Sequence, residues 1–250
     1  MNSVVVMPTY ARPEMLALSL ECLSRVPDCP PIHIYVDRGV DKSTFHYVRD
    51  NYSPAAELHF TESRPECTSG TWNILHSLQE GYNLGADLIF IVEEDVMVYP
   101  NWLDFHLREY DLGAMASCGR HIPMFFKKYG DIYTNPGSCL SSELMELVVP
   151  HINDDYFKAT GDYIRKEFGK QPINSSLDDG LIRMVMDREN WLCAYPDKPV
   201  CAHQGFEFYD ELDIYSNKGT IQEKIDKLRK MLPTIKPTDR YAPDFEPYIP

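Results

Sequence analysis

The feature that most constrains the fold is an alternation of apolar runs with amphipathic segments in the first half of the chain. Apolar runs at residues 4–7, 32–36 and 88–92 predict strands, and Leu16 and Leu20 mark the apolar face of a helix after the first strand. Such alternation is typical of βαβ units, so we expect an α/β fold with a mostly parallel central sheet flanked by helices. Residues 88–92 are apolar at every position, as expected of a central strand covered on both faces.

The remaining periodicity predicts further elements. We expect helices around residues 43–51, 72–82, 100–110, 140–149, 155–168, 176–189 and 221–231, and strands at 57–61, 113–118 and 191–195. Residues 119–139, rich in aromatic residues, glycine and proline, are predicted to form loops and short strands, and the proline-rich C-terminal tail to be draped or mobile. No repeat or linker divides the 250 residues, so we expect a single domain.

Charge and cysteine usage narrow the class of protein. The net charge of −14, with no run dense in lysine or arginine, disfavours a nucleic-acid partner, although a local basic patch can coexist with an acidic whole. Seven dispersed cysteines without a CxxC pair indicate reduced thiols. No apolar stretch approaches the roughly 20 residues of a membrane span, and no signal peptide is recognisable. We therefore expect a cytoplasmic protein without a membrane partner.

Three consecutive acids, Glu93, Glu94 and Asp95, follow the most apolar strand. Ligands of open α/β sheets bind beyond the carboxyl ends of the strands, where these acids are expected to lie. Adjacent carboxylates repel one another, so a buried cluster requires a compensating cation, and oxygen ligands favour Mg²⁺ or Mn²⁺. A solvated loop after a strand explains the same triplet equally well, so the acids alone leave both interpretations open.

Other segments favour the first interpretation. The opening VVVMPTYARPEML (residues 4–16) resembles the start of GT-A glycosyltransferases, especially the family-2-like group, in which a Pro-Thr-Tyr/Phe-x-Arg turn holds the nucleotide. Residues 34–37 resemble the second strand of that family, and Trp72-Asn73 its asparagine-bearing helix. The three acids then resemble the DxD motif of the family. Their sequence, EED, is a variant of the EDD form seen in N-acetylglucosaminyltransferase-I-like enzymes. The resemblance spans roughly residues 3–206.

The resemblance implies a GT-A fold with a nucleotide-sugar-binding half (1–110), an acceptor and catalytic half (111–206) and a C-terminal helix and tail (207–250). It implies that Asp95 ligates the metal and that Glu93 faces the ribose or sugar. The implied donor-binding residues are Pro8, Thr9, Tyr10, Arg12, Asp37, Arg64, Asn73, Glu93 and Glu94. The glutamates depart from a strict DxD motif, which leaves open which acid touches the metal.

An acidic pair, Asp178 and Asp179, lies at the predicted start of a helix. The resemblance implies that Asp179 is the catalytic base, which takes the proton of the acceptor hydroxyl. Ser176 and Asp179 also form a capping-box-like pattern, and acids favour the first helical turn. The two interpretations are compatible, because one acid can cap the helix while the other catalyses.

Two further groups complete the predicted site. His203, in the segment PVCAHQG, matches a histidine that often completes the GT-A metal site, and imidazole suits Mn²⁺ better than Mg²⁺. Arg12 and Arg64 are candidates to offset the charge of the diphosphate. Five further residues are candidates for sugar or acceptor contacts, although such residues can equally belong to the core. They are Trp102, Arg120, His121, Phe125 and Phe126.

The sequence, with its resemblance to GT-A enzymes, thus predicts a metal-dependent transferase that moves a sugar from a nucleotide-sugar to an acceptor hydroxyl. We expect the donor to be a UDP-sugar and the reaction to invert the configuration at the anomeric carbon. The alternatives are a sugar-nucleotide nucleotidyltransferase, although no glycine-rich loop follows the first strand, and a non-catalytic GT-A-like domain that binds a sugar or partner. A compact chain of this kind suits bacterial or phage glycan assembly, a cytosolic protein or small-molecule acceptor, or a hydroxymethylated base in phage DNA. The acceptor stays open, with modified DNA among the candidates but disfavoured by the charge.

Overall fold

An eight-stranded sheet with helices on both faces organises the part of the chain that the computed structural model describes, namely residues 1–37, 40–61, 70–120, 128–170, 177–204 and 219–231. The strands of this sheet are β1 (Ser3–Thr9), β2 (Ile32–Val36), β3 (Glu57–Phe60), β4 (Leu88–Ile91), β6 (Ala116–Ser117), β7 (Tyr129–Gly130), β8 (Ser138–Ser141) and β9 (Cys193–Ala194). Two further strands, β5 (Val96–Val98) and β10 (Cys201–His203), form a separate antiparallel ribbon.

The helices follow the strands in the expected alternation. They are α1 (Pro13–Leu23), α2 (Lys42–Tyr52), α3 (Gly70–Asn83), α4 (Trp102–Asp111), α5 (Ser142–Val148), α6 (Asp154–Lys158), α7 (Thr160–Phe168), α8 (Leu177–Glu189) and α9 (Ile221–Met231), with a 3₁₀ turn at Val149–His151. Within the described ranges, no helix is long and apolar enough to cross a bilayer.

The strand order β3-β2-β1-β4-β8-β6-β9-β7 determines where a ligand can bind. Strands β3, β2, β1 and β4 are parallel, and β8 joins β4 in antiparallel orientation. The chain proceeds from β1 outward to β2 and β3, then returns to place β4 on the other side of β1. The crevice beyond the carboxyl ends of β1 and β4 is therefore the topological switch point, where open α/β sheets bind their ligands.

Two apolar layers cover the sheet, because successive side chains of a strand point to opposite faces. On β1, Val5 and Met7 join one layer, whereas Val4 and Val6 join the other. The first layer contains side chains of α1, α2, α4 and α9, and the second those of α3, α5, α7 and α8. The expected α/β fold with a mostly parallel sheet and flanking helices is confirmed.

The structure corrects several predicted elements in the second half. The helix predicted from residue 140 begins at Ser142, because Ser138–Ser141 is a strand that pairs with β4. The helix predicted at 155–168 is divided into α6 and α7 at Ala159, whose φ of −148° and ψ of 56° are not helical. The strands predicted at 113–118 and 191–195 shorten to β6 and β9. The predicted C-terminal tail lies outside the described residues.

Candidate active site

The three acids lie at the switch point, in a tight connection between β4 and β5. The backbone N–H of Val92 still donates to Val6 of β1 (3.0 Å), and that of Val96 donates to the carbonyl of Glu93 (3.0 Å). The chain therefore turns at residues 93–95 and places their carboxylates beside the end of β1. Glu94 and Asp95 are buried, whereas Glu93 is partly exposed.

Arg12, which directly precedes α1, binds two of these acids. Its Nε and Nη2 lie 2.8 and 2.7 Å from Oε1 of Glu94, and its Nη1 lies 2.8 Å from Oδ2 of Asp95. The side chains of Arg12, Glu94 and Asp95 are at most 5% exposed, so this is a desolvated ion-pair cluster. Arg12 was predicted to offset the charge of the diphosphate, which stays a prediction; in the structure its guanidinium fixes the acidic turn by binding Glu94 and Asp95.

The β5–β10 ribbon brings His203 to Asp95. Val96 pairs with His203 in the ladder, and the backbone N–H of Gln204 donates to the carbonyl of Asp95 (2.9 Å). This register places Nε2 of His203 3.4 Å from Oδ1 of Asp95. Burial lowers the pKa of the His203 imidazole, but the negative charges of Asp95 and Glu93 outweigh burial and raise it.

Glu93, Asp95 and His203 form a group that fits a metal ion. One ligand atom of each lies within 4.8 Å of those of the other two. Oδ1 of Asp95 is buried, forms no hydrogen bond within the described ranges and meets Nε2 of His203 at 3.4 Å, so a bound ion would supply the close partner that this oxygen lacks. Sequence reasoning assigned Glu93 to the ribose or sugar, whereas its position also makes it a candidate ligand.

The protonation states of the acids diverge. Burial, reinforced by Asp95 and Asp178, raises the pKa of Glu93 to about 8 against the opposing charge of His203. Burial also raises the pKa of Asp95, but His203 and Arg12 outweigh it and hold that pKa well below the usual range. Asp95 is therefore the persistent anion of the cluster, the state that a metal ligand requires.

The acidic pair Asp178 and Asp179 lies in the first turn of α8 and is held by Asn135. The backbone N–H of Asn135 donates to Oδ1 of Asp179 (2.9 Å), and its side-chain amide donates to Oδ2 of Asp178. Burial raises the pKa of Asp178, and the side chains of Thr71 and Asn135 oppose that rise. Burial, followed by the charges of Asp178 and Glu93, raises the pKa of Asp179 well above its usual value. The influence of Glu93 on Asp179 shows that the two acidic groups share one electrostatic site.

A cavity of about 540 Å³ opens at the same place. Its lining includes eight of the nine predicted donor-binding residues, namely Pro8, Thr9, Tyr10, Arg12, Asp37, Asn73, Glu93 and Glu94. Among the described residues, Gly70, Thr71 and Ile74 of α3 also line it. The amide of Asn73 ties this helix to the strands, because its Nδ2 donates to the carbonyls of Thr9 (3.2 Å) and Tyr35 (2.9 Å).

Some predicted residues fall elsewhere. Trp102 is fully buried and donates its indole N–H to the carbonyl of Gly137 (2.7 Å), so it belongs to the core. Arg120 is partly exposed. The other predicted residues lie outside the described residues; they are Arg64, His121, Phe125, Phe126 and the predicted cap Ser176.

Sequence reasoning missed Asn135, Thr71 and Gln204, because each meets the site through a contact between distant segments. Buried polar atoms indicate where ligands are expected, since such atoms are normally hydrogen-bonded. Six buried side-chain N or O atoms lack a hydrogen-bond partner within the described part of the chain, and four belong to this region: Asn73 Oδ1, Asp95 Oδ1, Asn135 Oδ1 and Gln204 Oε1.

Comparisons with known proteins support the fold. No protein-family model matches the chain, and no curated protein matches it. Among solved structures, the chain is similar to S. aureus TarS 1–349 (15% identity, 93% of this chain, 71% of that chain, TM-score 0.52) and to the same segment in complex with UDP (14% identity, the same coverage, TM-score 0.53). It spans only 44% of a longer TarS structure. It is also similar to a Leptospira borgpetersenii cytidylyltransferase (10% identity, 92% and 94% coverage, TM-score 0.50). At these identities the likeness shows the fold alone, the expected GT-A type of α/β fold.

Proposed function

We propose that the chain is a metal-dependent glycosyltransferase that moves a sugar from a nucleotide-sugar to an acceptor hydroxyl. The observation that carries this proposal is the convergence of two acidic groups and His203 on Glu93, which together with Glu94 lines the cavity at the switch point. Residues 93–95 come from the end of β4, Asp178 and Asp179 from the start of α8, and His203 from β10. A purely structural origin would not require acids and a histidine from three distant segments to meet beside a residue that lines a cavity.

The cavity supports a nucleotide-sugar as the donor. Tyr10 is half exposed at its edge and offers an aromatic face, while Asp37 and Asn73 offer buried polar groups within it. A mostly preformed pocket with a few polar groups is typical of small-molecule sites. The TarS structure of the same fold holds UDP, which supports a UDP-sugar for this chain.

Charge balance supports a divalent ion. Five acidic side chains, Glu93, Glu94, Asp95, Asp178 and Asp179, surround one guanidinium and one imidazole. The pKa of each of them except Asp95 is raised, chiefly by burial, so their ionised forms are disfavoured without a cation, and a divalent ion would stabilise those forms. Asp95 and His203, with Glu93 beside them, would hold Mn²⁺ or Mg²⁺. When bound, the ion would neutralise charge on the departing diphosphate.

We infer that Asp179 is the catalytic base of a single displacement with inversion. Its raised pKa makes it a stronger base than an ordinary carboxylate, as proton removal from a hydroxyl requires. The Asn135 amide fixes the carboxylate of Asp178 beside it, and the Asn135 N–H orients Asp179 itself. Arg12 holds Glu94 and Asp95 in place while the acceptor proton moves to Asp179.

The cytidylyltransferase likeness favours a second candidate, a sugar-nucleotide nucleotidyltransferase. The chain covers 94% of that protein, so the shared fold extends over nearly its whole length. The two activities release different products. A glycosyltransferase releases UDP from a UDP-sugar. A nucleotidyltransferase joins a sugar phosphate to a nucleoside triphosphate, which releases pyrophosphate. The turn at residues 8–12 contains no glycine, which favours the transferase.

A thermal-shift screen of UDP-sugars, other nucleotide-sugars and CTP, with and without Mn²⁺, tests the proposal. A donor at about 100 times its Kd stabilises the chain by about 2.7 kcal/mol, a shift of roughly 5–10 °C. We expect such a shift with a UDP-sugar and Mn²⁺ together, and its loss in Asp95→Asn but not in the exposed control Asp197→Asn. A shift with CTP and release of pyrophosphate would favour the nucleotidyltransferase, and no nucleotide-dependent shift would favour a non-catalytic domain.

A further inference from the structure

A second cluster of metal-ligating side chains lies on β2 and β3, away from the acidic turn. His33 of β2 pairs directly with Glu57 of β3, and His59 follows Glu57 by two residues. Residues i and i+2 of a strand share a face, so the backbone itself places all three side chains together. Asp37 marks the carboxyl end of β2, and His33 lies four residues before it. His33 is therefore roughly 13 Å along the strand from the edge of the sheet where the candidate active site lies.

The distances among the three ligand atoms match a tetrahedral metal site. Nδ1 of His33 lies 3.2 Å from Nε2 of His59 and 3.6 Å from Oε2 of Glu57. Nε2 of His59 lies 3.8 Å from the same carboxylate oxygen. Ligands about 2.0–2.1 Å from a tetrahedral Zn²⁺ are separated by about 3.4 Å, which lies within the observed range.

The cluster combines a fixed ligand with accessible ones. His33 is 7% exposed and is held by the sheet, whereas the side chains of His59 and Glu57 are 41% and 66% exposed. The ring of Tyr35 stacks on His59 with centroids 4.7 Å apart and an angle of 14°, which restrains the imidazole. An ion can therefore reach the cluster from solvent and meet ligands whose positions are already restricted.

We propose that His33, Glu57 and His59 bind a transition-metal ion of the Zn²⁺ type, with solvent as a further ligand. Two imidazoles and one carboxylate favour Zn²⁺ over Mg²⁺, in contrast to the acid-rich group at residues 93–95. Without an ion, the facing ring nitrogens of His33 and His59 share one proton in an N–H···N contact. Metal binding moves that proton to the other nitrogen of the same ring, so that both facing nitrogens offer a lone pair to the ion.

The bound ion would join β3 to the rest of the sheet. Strand β3 stands at one end of the strand order and is only four residues long. Its backbone pairs with β2 alone in the described part of the sheet, so an ion that bridges both strands adds a cross-link there. Zn²⁺ binding would therefore stabilise the folded chain, independently of any nucleotide-sugar.

Calorimetric titration of the full chain with Zn²⁺, together with the visible absorption of added Co²⁺, tests the proposal. We expect His59→Gln and Glu57→Gln each to weaken Zn²⁺ binding at this cluster by about 10–100-fold or more, and the intense absorption of tetrahedral Co²⁺ to disappear. Both side chains are accessible, so circular dichroism should show an unchanged fold. His46→Gln removes an exposed histidine of α2 and should leave both signals intact.

Two results would overturn the proposal. One is that the unaltered chain does not bind Zn²⁺, or that His59→Gln and Glu57→Gln both bind it with the stoichiometry and affinity of the unaltered chain. The other is the loss of the tetrahedral Co²⁺ signal in His203→Gln, which would place the ion at the acidic site instead. Neither result depends on transferase activity, so the failure of this proposal is distinguishable from the failure of the proposed function.

Discussion

Arg12 shows how one residue connects sequence, stability and site geometry. It precedes α1 by one position, yet its guanidinium binds acids that lie more than eighty residues later in the chain. A buried ion pair gives little net stability relative to an apolar replacement, but removal of one partner leaves a desolvated charge. Arg12 therefore allows Glu94 and Asp95 to lie side by side as buried acids at the end of β4.

Replacement of Arg12 should be costly. We expect Arg12→Met to lower the free energy of unfolding by about 3–5 kcal/mol, because Glu94 and Asp95 lose their buried counter-charge. Urea denaturation measures the change. Arg25→Met is the control, since Arg25 forms an exposed pair with Glu21 and should change stability by less than about 1 kcal/mol. Equal effects of the two substitutions would contradict the buried-cluster interpretation.

His106 makes a second prediction at the scale of one residue. Its ring nitrogens lie 2.6 Å from Oγ of Ser117 and 2.9 Å from the carbonyl of Gly137. Burial lowers the pKa of this imidazole to about 3, although the Gly137 carbonyl opposes the shift. Between this pKa and the unfolded value of about 6.5 the unfolded chain binds one more proton, so stability falls as the pH falls through that window.

The loss attributable to His106 is about 2 kcal/mol from about pH 8 to about pH 5. Urea denaturation across this range, for the unaltered chain and for His106→Gln, measures it. We expect the variant to be less stable at neutral pH but to lose less stability on acidification. The exposed histidine control His46→Gln should retain the full pH dependence. An equal pH dependence in His106→Gln would show that His106 is not the group responsible.

At the scale of elements, the sequence predicted the βαβ half well and the antiparallel half poorly. Strands β1, β2 and β4 and helices α1 to α3 carry apolar runs or periodic patterns over their own length, so local sequence is sufficient to predict them. Strand β8 has the sequence Ser-Cys-Leu-Ser, buried at all four positions, and shows neither alternation nor strong strand propensity. Its pairing with β4 is a tertiary effect that local reasoning could not detect.

The packing of α3 against β1 and β4 gives an element-scale prediction. A Cβ at Gly81 would lie 2.9 Å from Cγ2 of Ile89 and 3.0 Å from Cγ1 of Val6, which is too close for either β-branched side chain to accommodate easily. Overpacking should outweigh the better helix propensity of alanine, so we expect Gly81→Ala to destabilise the chain by about 1–2 kcal/mol.

Gly180 in α8 is the matched control. A Cβ there meets no described atom within 4 Å, so Gly180→Ala should stabilise the helix by about 0.5–1 kcal/mol. Thermal unfolding of both variants distinguishes packing from propensity. Stabilisation by Gly81→Ala would mean that α3 lies farther from the sheet than the structure shows.

At the scale of the whole molecule, the strand order brings the predicted motifs together. The motifs suggested that these residues belong to one site, and the fold places them at the carboxyl edge of the sheet. The acids at residues 93–95 could be predicted from the sequence to lie beyond a strand, and eight of the predicted donor-binding residues line one cavity. The tether from Asn135 to Asp178 and Asp179 could not be predicted, because it joins a loop before β8 to the start of α8. The roles of these residues in catalysis stay predictions.

The most direct test of the proposed function is the rate of UDP release from a UDP-sugar in the presence of Mn²⁺. The screen for donor binding identifies the sugar, and the acceptor panel can then include water, sugars and modified nucleosides. We expect Asp179→Asn to lower the rate by about 10²–10⁴-fold, because the variant cannot take the acceptor proton, while donor binding and folding persist. Asp197→Asn should retain the full rate. Full UDP release by a folded Asp179→Asn variant would contradict the assignment of the base, and the absence of metal-dependent UDP release from every nucleotide-sugar would contradict the transferase itself.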